Sequence, residues 1–264
     1  MTLFQSLILG LIQGLTEFLP ISSSGHLALS HKLLGFNQPP ISYDISLHLS
    51  TLVAVIIYFK QEIIKIINQV WISLKNYRLD LFPKIVLLII IATLPAIIFG
   101  LLIKDYMEIM FDSMLLTSGG FFISGFLLLI ALKQKRLNKS INDIGYLDSI
   151  FIGIMQAVAI LPSISRSGAT ITAALARKLK REDAFTFSFL LSIPAILGAQ
   201  LLDLPEIFKI SSHEIKQYIP GLIVAFLSGY LALGLFKKFI INNKLIWFSI
   251  YCIGLGLITL FLSM

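Results

Sequence analysis

Charge and cysteine are both scarce in this sequence. Only 13% of the 264 residues are Asp, Glu, Lys or Arg, whereas soluble globular domains contain about 25%. Hydrophobic residues make up 57% of the chain, and the mean hydropathy is +0.90. So little charge excludes a soluble enzyme with a water-facing surface, and so much apolar sequence excludes a disordered chain. The single cysteine, Cys252, excludes an intrachain disulfide.

The long apolar runs also lack the two-residue alternation of membrane β-barrel strands. We therefore expect an all-α integral membrane protein, because helices satisfy their own backbone hydrogen bonds within a bilayer. A helix needs about 20 apolar residues to cross the hydrocarbon core. Six transmembrane helices are predicted, over about 45–67, 84–103, 113–132, 184–202, 218–237 and 245–263. Together with their connections they account for the whole length, so residues 1–264 are expected to form a single membrane domain.

Two other apolar segments are interrupted by polar residues. Residues 3–19 run into a Ser-rich break at 22–25, and residues 146–161 run into a break at 165–168 that contains Arg166. A short second helix is predicted after each break. This order of helix, break and short helix is typical of a re-entrant helical hairpin, whose exposed backbone must be covered by protein or line a cavity.

The two hairpins are similar in sequence to one another. Alignment of Gly10 with Gly153 pairs, without a gap, Gln13 with Gln156, Ser22 with Ser165, Ser24 with Ser167 and Gly25 with Gly168. Each hairpin is followed by three predicted spans, so the chain divides into halves at about 1–132 and 145–264. An odd number of spans in each half predicts an inverted-topology repeat.

The distribution of positive charge predicts the orientation. If residue 1 lies outside the cell, the segments predicted inside contain 16 Lys and Arg residues and those predicted outside contain four. This asymmetry follows the positive-inside rule and places both termini outside. The first hairpin then enters from the outside and the second from the inside, so the two breaks meet near the midplane. Because the positive charges lie in separate loops, the net charge of +7 does not indicate a nucleic-acid partner.

The polar residues of the breaks favour a phosphate site. Gln13 and Glu17 lie one helical turn apart on one face, and an ionisable residue inside an apolar helix is usually functional. Each short helix begins with hydroxyl side chains and backbone N–H groups, which bind anions. Arg166 adds a side chain suited to bidentate contact with phosphate, and His26 adds a nucleophile or a general acid or base. A phosphate-bearing substrate within a bilayer would be an anionic lipid.

Structural roles are the alternative for several of these residues. Arg166 could serve only as an ion-pair partner of Glu17 or Asp148, and Ser/Gly-rich segments are common packing surfaces between membrane helices. Among the other histidines, His48 is a candidate to support the site and His31 is expected at the solvated surface.

Two stretches resemble motifs of the bacterial undecaprenyl-diphosphatase family, also called the bacitracin resistance proteins, and the resemblance extends over the whole chain. Residues 13–26, QGLTEFLPISSSGH, are similar to the family's (E/Q)xxxE segment and the Ser-rich loop after it. Residues 162–170, PSISRSGAT, are similar to its PGxSRSxxT motif. The chain departs from this pattern at Ser163, where the family has glycine, and a serine would be strained there if the position requires a positive φ.

The resemblance implies hydrolysis of undecaprenyl diphosphate to undecaprenyl phosphate and phosphate, which recycles the carrier lipid for peptidoglycan synthesis. It implies a multi-pass protein of the bacterial inner membrane, bacitracin resistance, and dependence on a divalent cation (Mg²⁺, Mn²⁺ or Ca²⁺). A carboxylate facing a diphosphate is repelled unless a cation or a proton lies between them, so Glu17 is the predicted metal ligand.

Roles for the other residues follow from their chemistry. Arg166 and the two helix starts would hold the terminal phosphate. His26 is preferred as the nucleophile because a neutral imidazole is nucleophilic near pH 7, and Ser23 is the alternative. Glu17 would orient His26 or hold the cation. The further predicted substrate-binding residues are Gln13, Ser22, Ser24, Gly25, Ser165, Ser167, Gly168 and Thr170.

A transporter or lipid flippase is the second hypothesis, because inverted repeats with broken helices at the midplane are typical of secondary transporters. A carrier must bind an anion but needs no nucleophile, so phosphate release distinguishes the two functions. The expected partners are the membrane and a polyprenyl diphosphate lipid. Whether two copies associate as a homodimer stays open.

Overall fold

A computed structural model describes residues 1–36, 41–202, 205 and 211–264. Over these residues the structure is helical, without a β-sheet. The helices of the first half are α1 Leu3–Phe18, α2 Ser23–Leu33, α3 Ile41–Tyr58, α4 Lys60–Lys75, α5 Lys84–Ile103, α6 Met107–Asp112 and α7 Met114–Leu132. Those of the second half are α8 Tyr146–Val158, α9 Arg166–Ala176, α10 Arg181–Leu202, α11 Ser212–Ile241 and α12 Ile246–Leu262.

Local sequence signals account for several helix ends. Thr2 and Gln5 form a capping box at the start of α1, and the Ser113 hydroxyl accepts a hydrogen bond at the start of α7. Pro95 and Pro194 lie inside α5 and α10. Membrane helices tolerate such prolines because neighbouring groups satisfy the freed backbone carbonyls.

Among the described residues, five helices are long and apolar enough to cross a membrane, which confirms a multi-pass helical membrane protein. These spans are Ile41–Tyr58, Lys84–Tyr106, Met114–Leu132, Arg181–Leu201 and Glu214–Ile241. The sixth predicted run, 245–263, corresponds to α12, a shorter apolar helix of 17 residues. Helices α1 and α8 belong to the same shorter class, as the predicted hairpins require.

The span predicted over 45–67 extends too far toward the C-terminus. Helix α3 stops at Tyr58, and α4 starts at Lys60 after Phe59 leaves helical geometry (φ −100°, ψ 21°). The isoleucines at the start of α4 extend the apolar run in sequence, although they belong to a second helix. Ile67 and Trp71 of α4 lie on its exposed surface. A window of mean hydropathy cannot register the change of direction between two apolar helices.

The helices pair across the two halves. Helix α1 packs along α11 and α8 packs along α5, while α7 packs along α12. Small residues permit the first two contacts: a Cβ on Gly10 would lie 2.2 Å from the Gly221 carbonyl oxygen, and one on Gly153 would lie 2.5 Å from that of Ala92. Gly10 and Gly153 are the positions that align the two hairpins in sequence. Helix α1 is therefore packed against a helix from the C-terminal part of the chain, and α8 against one from the N-terminal part.

Aromatic residues form the centre of the core beside the end of α1. The buried rings of Phe18, Phe185, Phe189 and Phe236 belong to one cluster, and Phe18 meets Phe189 edge-on with ring centroids 5.7 Å apart. This packing fixes the last turn of α1, which carries Glu17.

Candidate active site

The two breaks contact one another in the interior. The Ser167 hydroxyl donates to the Leu19 carbonyl oxygen at 3.4 Å. A Cβ on Gly25 would lie 2.6 Å from the Ser163 hydroxyl oxygen, and one on Gly168 would lie 3.4 Å from the Pro20 Cβ. The prediction that the breaks meet is confirmed, and two predicted substrate-binding glycines are what allow the close approach.

The starts of the two short helices have matching side-chain hydrogen bonds, although the backbone differs, with φ 69° at Ser22 and φ −69° at Ser165. The Ser22 hydroxyl accepts from the Gly25 N–H at 3.3 Å, and the Ser165 hydroxyl accepts from the Gly168 N–H at 3.1 Å. Their hydroxyl oxygens also lie 3.2 Å from those of the serines two positions on, Ser24 and Ser167. Ser22 and Ser165 thus act as N-caps, which orient the first turns of α2 and α9 toward the junction of the breaks.

Glu17 joins the two halves through its carboxylate. Its side chain is only 5% exposed, and its Oε1 lies 2.5 Å from Nη2 of Arg166. Its Oε2 accepts from the Ser23 hydroxyl at 2.6 Å and from Gln13 Nε2 at 3.2 Å. Ser23 and Arg166 are the first residues of α2 and α9 and occupy aligned positions in the two hairpins. One carboxylate therefore binds the first residue of both short helices.

Two buried polar atoms beside this carboxylate have no hydrogen-bond partner among the described residues. They are Nη1 of Arg166 and Oε1 of Gln13. A buried donor or acceptor without a partner costs about 1–3 kcal/mol, so each such atom in a folded protein calls for an explanation. The guanidinium nitrogen suits an anionic oxygen, and the amide oxygen suits a cation. The charges and free atoms at the junction fit a phosphate with an accompanying cation.

His26 is held by residues other than Glu17. Its Nδ1 lies 2.6 Å from the Ser22 carbonyl oxygen, so Nδ1 donates. Its Nε2 lies 2.7 Å from the Tyr251 hydroxyl and accepts from it. The rings of His26 and Tyr251 are stacked, with centroids 5.6 Å apart. Ser22 and Tyr251, not Glu17, orient this histidine, and sequence reasoning missed Tyr251 because no motif or spacing in α12 marks it.

The other predicted residues occupy several environments. His48 Nε2 lies 3.7 Å from Glu17 Oε2, so His48 is next to the Glu17 carboxylate, as a residue that supports the site would be. The Thr170 hydroxyl is bonded to the Ser188 hydroxyl at 2.6 Å, so it links α9 to α10. His31 is buried, 3.3 Å from Asp44, which corrects the expectation of a solvated surface group.

The second buried carboxylate lies away from the junction. Asp148 pairs with Lys139 at 2.8 Å and with Arg177 at 2.5 Å. Of the two ion-pair partners considered for Arg166, the structure therefore selects Glu17.

The residue that departs from the family motif adopts the strained conformation. Ser163 has φ 59°, a region that residues other than glycine rarely occupy. It is buried, and its hydroxyl has no hydrogen-bond partner among the described residues. The position therefore has the positive φ under which a serine was expected to be strained, and Ser163 is packed against Gly25 of the first break.

Among the described residues, no group of three or more His, Cys, Asp or Glu side chains lies close enough together to hold a metal ion. Within the described part of the chain, Glu17 is the carboxylate that pairs with Arg166.

Fold and site together define a class: a multi-pass α-helical membrane protein with a buried site, rich in hydroxyl groups and containing an Arg–Glu ion pair, where two broken helices meet. The family model described as bacitracin resistance protein BacA matches residues 6–258. The chain belongs to this family.

Three relatives illustrate a similarity that covers nearly the whole length of each protein. A protein of Carboxydothermus hydrogenoformans named undecaprenyl-diphosphatase is 44% identical over 100% of this chain and 98% of its own. Undecaprenyl-diphosphatase 3 of Bacillus cereus is 43% identical over 100% of this chain and 98% of its own. An undecaprenyl-diphosphatase of Methanococcus maripaludis is 43% identical over 94% of this chain and 96% of its own.

Proposed function

We propose that this protein is a membrane phosphatase that hydrolyses undecaprenyl diphosphate to undecaprenyl phosphate and inorganic phosphate. In the cell this reaction would recycle the carrier lipid for peptidoglycan synthesis and confer bacitracin resistance. The observation that carries the proposal is the contact of Glu17 with both Ser23 and Arg166. It combines a nucleophile, a base and a phosphate-binding cation at one buried point. A carrier would need only the cation.

We infer that Ser23 is the nucleophile and not His26, because the Ser23 hydroxyl already donates to a carboxylate at 2.6 Å. Glu17 accepts the hydroxyl proton while Ser23 Oγ attacks the terminal phosphorus. The bond from that phosphorus to the bridging oxygen breaks, and undecaprenyl phosphate leaves. Nη1 of Arg166 binds the oxygens of the transferred phosphoryl group, where negative charge is concentrated. Water then attacks the phosphoserine while the His26–Tyr251 pair takes its proton, the bond from phosphorus to Ser23 Oγ breaks as Glu17 returns the proton to Oγ, and inorganic phosphate leaves.

A divalent cation fits this site as a partner of the substrate. Glu17 and Oε1 of Gln13 are the two protein oxygens that would hold it, since both are buried and one helical turn apart. A bound cation would neutralise diphosphate oxygens beside the carboxylate. With so few protein ligands, its affinity should depend strongly on the presence of substrate.

Phosphate release in detergent tests the proposed function. We expect the purified protein to release inorganic phosphate from farnesyl diphosphate in micelles, where no gradient exists. EDTA should abolish the activity and excess Mg²⁺ should restore it. Without chelator, an absence of phosphate release accompanied by diphosphate binding would contradict a phosphatase and favour the carrier. Full activity in EDTA would contradict only the proposed dependence on a divalent cation.

We further propose six transmembrane helices (α3, α5, α7, α10, α11 and α12) and two re-entrant hairpins in inverted halves. The pairing of α1 with α11 and of α8 with α5 supports this, because corresponding helices exchange partners across the halves. Both termini would lie outside the cell, the two breaks near the midplane and α4 along the inner surface. A homodimer stays a prediction.

Thiol labelling of intact cells tests the orientation. In a Cys252→Ser background, we expect a cysteine at Asp112 to react with an impermeant thiol reagent added outside, and one at Lys135 to react only after the cells are broken. Both positions are exposed in the structure, so accessibility within the fold is matched. The reverse pattern would invert the topology. Glu206, a second position predicted outside, falls outside the described residues.

A further inference from the structure

An apolar groove of about 490 Å³ begins at the first break and opens on the outer surface of the bundle. Its volume is within the range of small-molecule binding sites. It is lined by Ile21, Phe239, Lys244, Trp247, Phe248 and Tyr251.

One end of this groove is continuous with the candidate active site. Ile21 directly precedes Ser22, the N-cap of α2. Tyr251 lines the groove and donates to His26 Nε2 at 2.7 Å. A molecule whose polar end reached the junction of the breaks could therefore continue directly along the groove.

The other end opens toward the surroundings of the protein. Trp247 is 63% exposed and Tyr251 is 46% exposed, although both are large aromatic residues. Both belong to α12, an apolar helix packed against α7. Lys244 lines the same end, and a lysine beside a tryptophan at the start of an apolar helix is typical of the membrane–water interface, so the groove leads from the buried polar site to the surrounding lipid near that interface.

We propose that this groove binds the first isoprene units of the substrate's polyprenyl chain and leads the rest of the chain into the bilayer. The proposal rests on the proposed function, because it takes a polyprenyl diphosphate as the ligand. The substrate must place a diphosphate at Arg166 while its chain remains in hydrocarbon. This groove starts beside His26, and its lining consists mainly of apolar and aromatic side chains. Branched, unsaturated chains pack well against aromatic rings.

Selectivity for chain length is the first test. We would measure kcat/KM for farnesyl diphosphate and for dimethylallyl diphosphate, which have three isoprene units and one. For Trp247→Ala and Phe248→Ala we expect the ratio of the two values to fall about tenfold, because contacts with the second and third units are lost. The matched control is Phe126→Ala, an exposed aromatic residue of α7 outside the groove, which should keep the wild-type ratio. An unchanged ratio in both groove variants would overturn the proposal.

Direct binding supplies a readout that does not depend on hydrolysis. Trp71→Phe leaves Trp247 as the sole tryptophan, so its emission reports on the groove. In nanodiscs we expect farnesyl methylenediphosphonate to shift this emission with saturation, and methylenediphosphonate alone to leave it unchanged. Phe248→Ala should weaken the affinity about tenfold. An emission insensitive to the prenyl compound would show that bulk lipid alone occupies the groove. If the prenyl compound binds but the protein does not hydrolyse farnesyl diphosphate, the proposed phosphatase function is wrong, although the groove still binds a prenyl chain.

Discussion

Replacement of Arg166 by lysine is expected to reduce phosphate release by about 10³–10⁵, although the positive charge is kept. Nη2 of this arginine lies 2.5 Å from Glu17, while its buried Nη1 has no partner among the described residues. One guanidinium can hold the carboxylate and a phosphate oxygen together, whereas a single ammonium cannot do both in a fixed geometry. Initial rates with farnesyl diphosphate in detergent measure the loss.

Arg177→Lys is the matched control for this substitution. Arg177 also lies 2.5 Å from a buried carboxylate, that of Asp148, but at a distance from the junction of the breaks. We expect it to retain near wild-type activity. Arg166→Ala, in contrast, should also destabilise the protein by about 3–5 kcal/mol, because Glu17 keeps a buried charge without its partner. If Arg166→Lys retained activity close to that of Arg177→Lys, the proposed phosphate contact would be wrong.

Ser23→Ala is expected to leave no measurable turnover, and His26→Ala to leave a residual rate lower by about 10²–10⁴, the range of a lost general acid or base. The reason is geometric, since the Ser23 hydroxyl donates to Glu17 while both ring nitrogens of His26 are hydrogen-bonded elsewhere. If His26 were the nucleophile, as the side-chain chemistry alone suggests, His26→Ala would be the inactive variant and Ser23→Ala would keep a reduced rate. Single-turnover phosphate release from the two purified variants separates the assignments.

The chemical stability of a trapped intermediate gives an independent measurement. A phosphoserine survives acid and is lost in alkali, whereas a phosphohistidine is lost in acid. We expect acid-stable label on the wild-type protein after rapid quenching with a substrate labelled at its terminal phosphate, and none on Ser23→Ala. Ser24→Ala is the control, because its hydroxyl contacts Ser22 in the same turn, and it should keep the label. Acid-labile label on Ser23→Ala would make His26 the nucleophile.

Much of the architecture could be predicted because it depends on composition and local pattern. The scarcity of charge requires a bilayer, and the Ser- and Gly-rich breaks end α1 and α8 where the sequence places them. The alignment of Gly10 with Gly153 also predicts which helix positions are packed most closely, and both are confirmed as close contacts. The end of α3 at Tyr58 was missed because the apolar run continues into another helix.

The sequence by itself determined the class of the protein and the set of polar residues at its site, since burial of charge in an apolar chain is costly wherever it occurs. Only the tertiary structure decided which of them are partners. Glu17 and Arg166 are 149 positions apart, and His26 and Tyr251 are 225 apart. Helical spacing indicates which face a residue occupies, but a hydrogen bond requires atoms within about 3 Å. That precision comes from helix packing, such as the contact of Gly10 with Gly221, which joins distant parts of the chain.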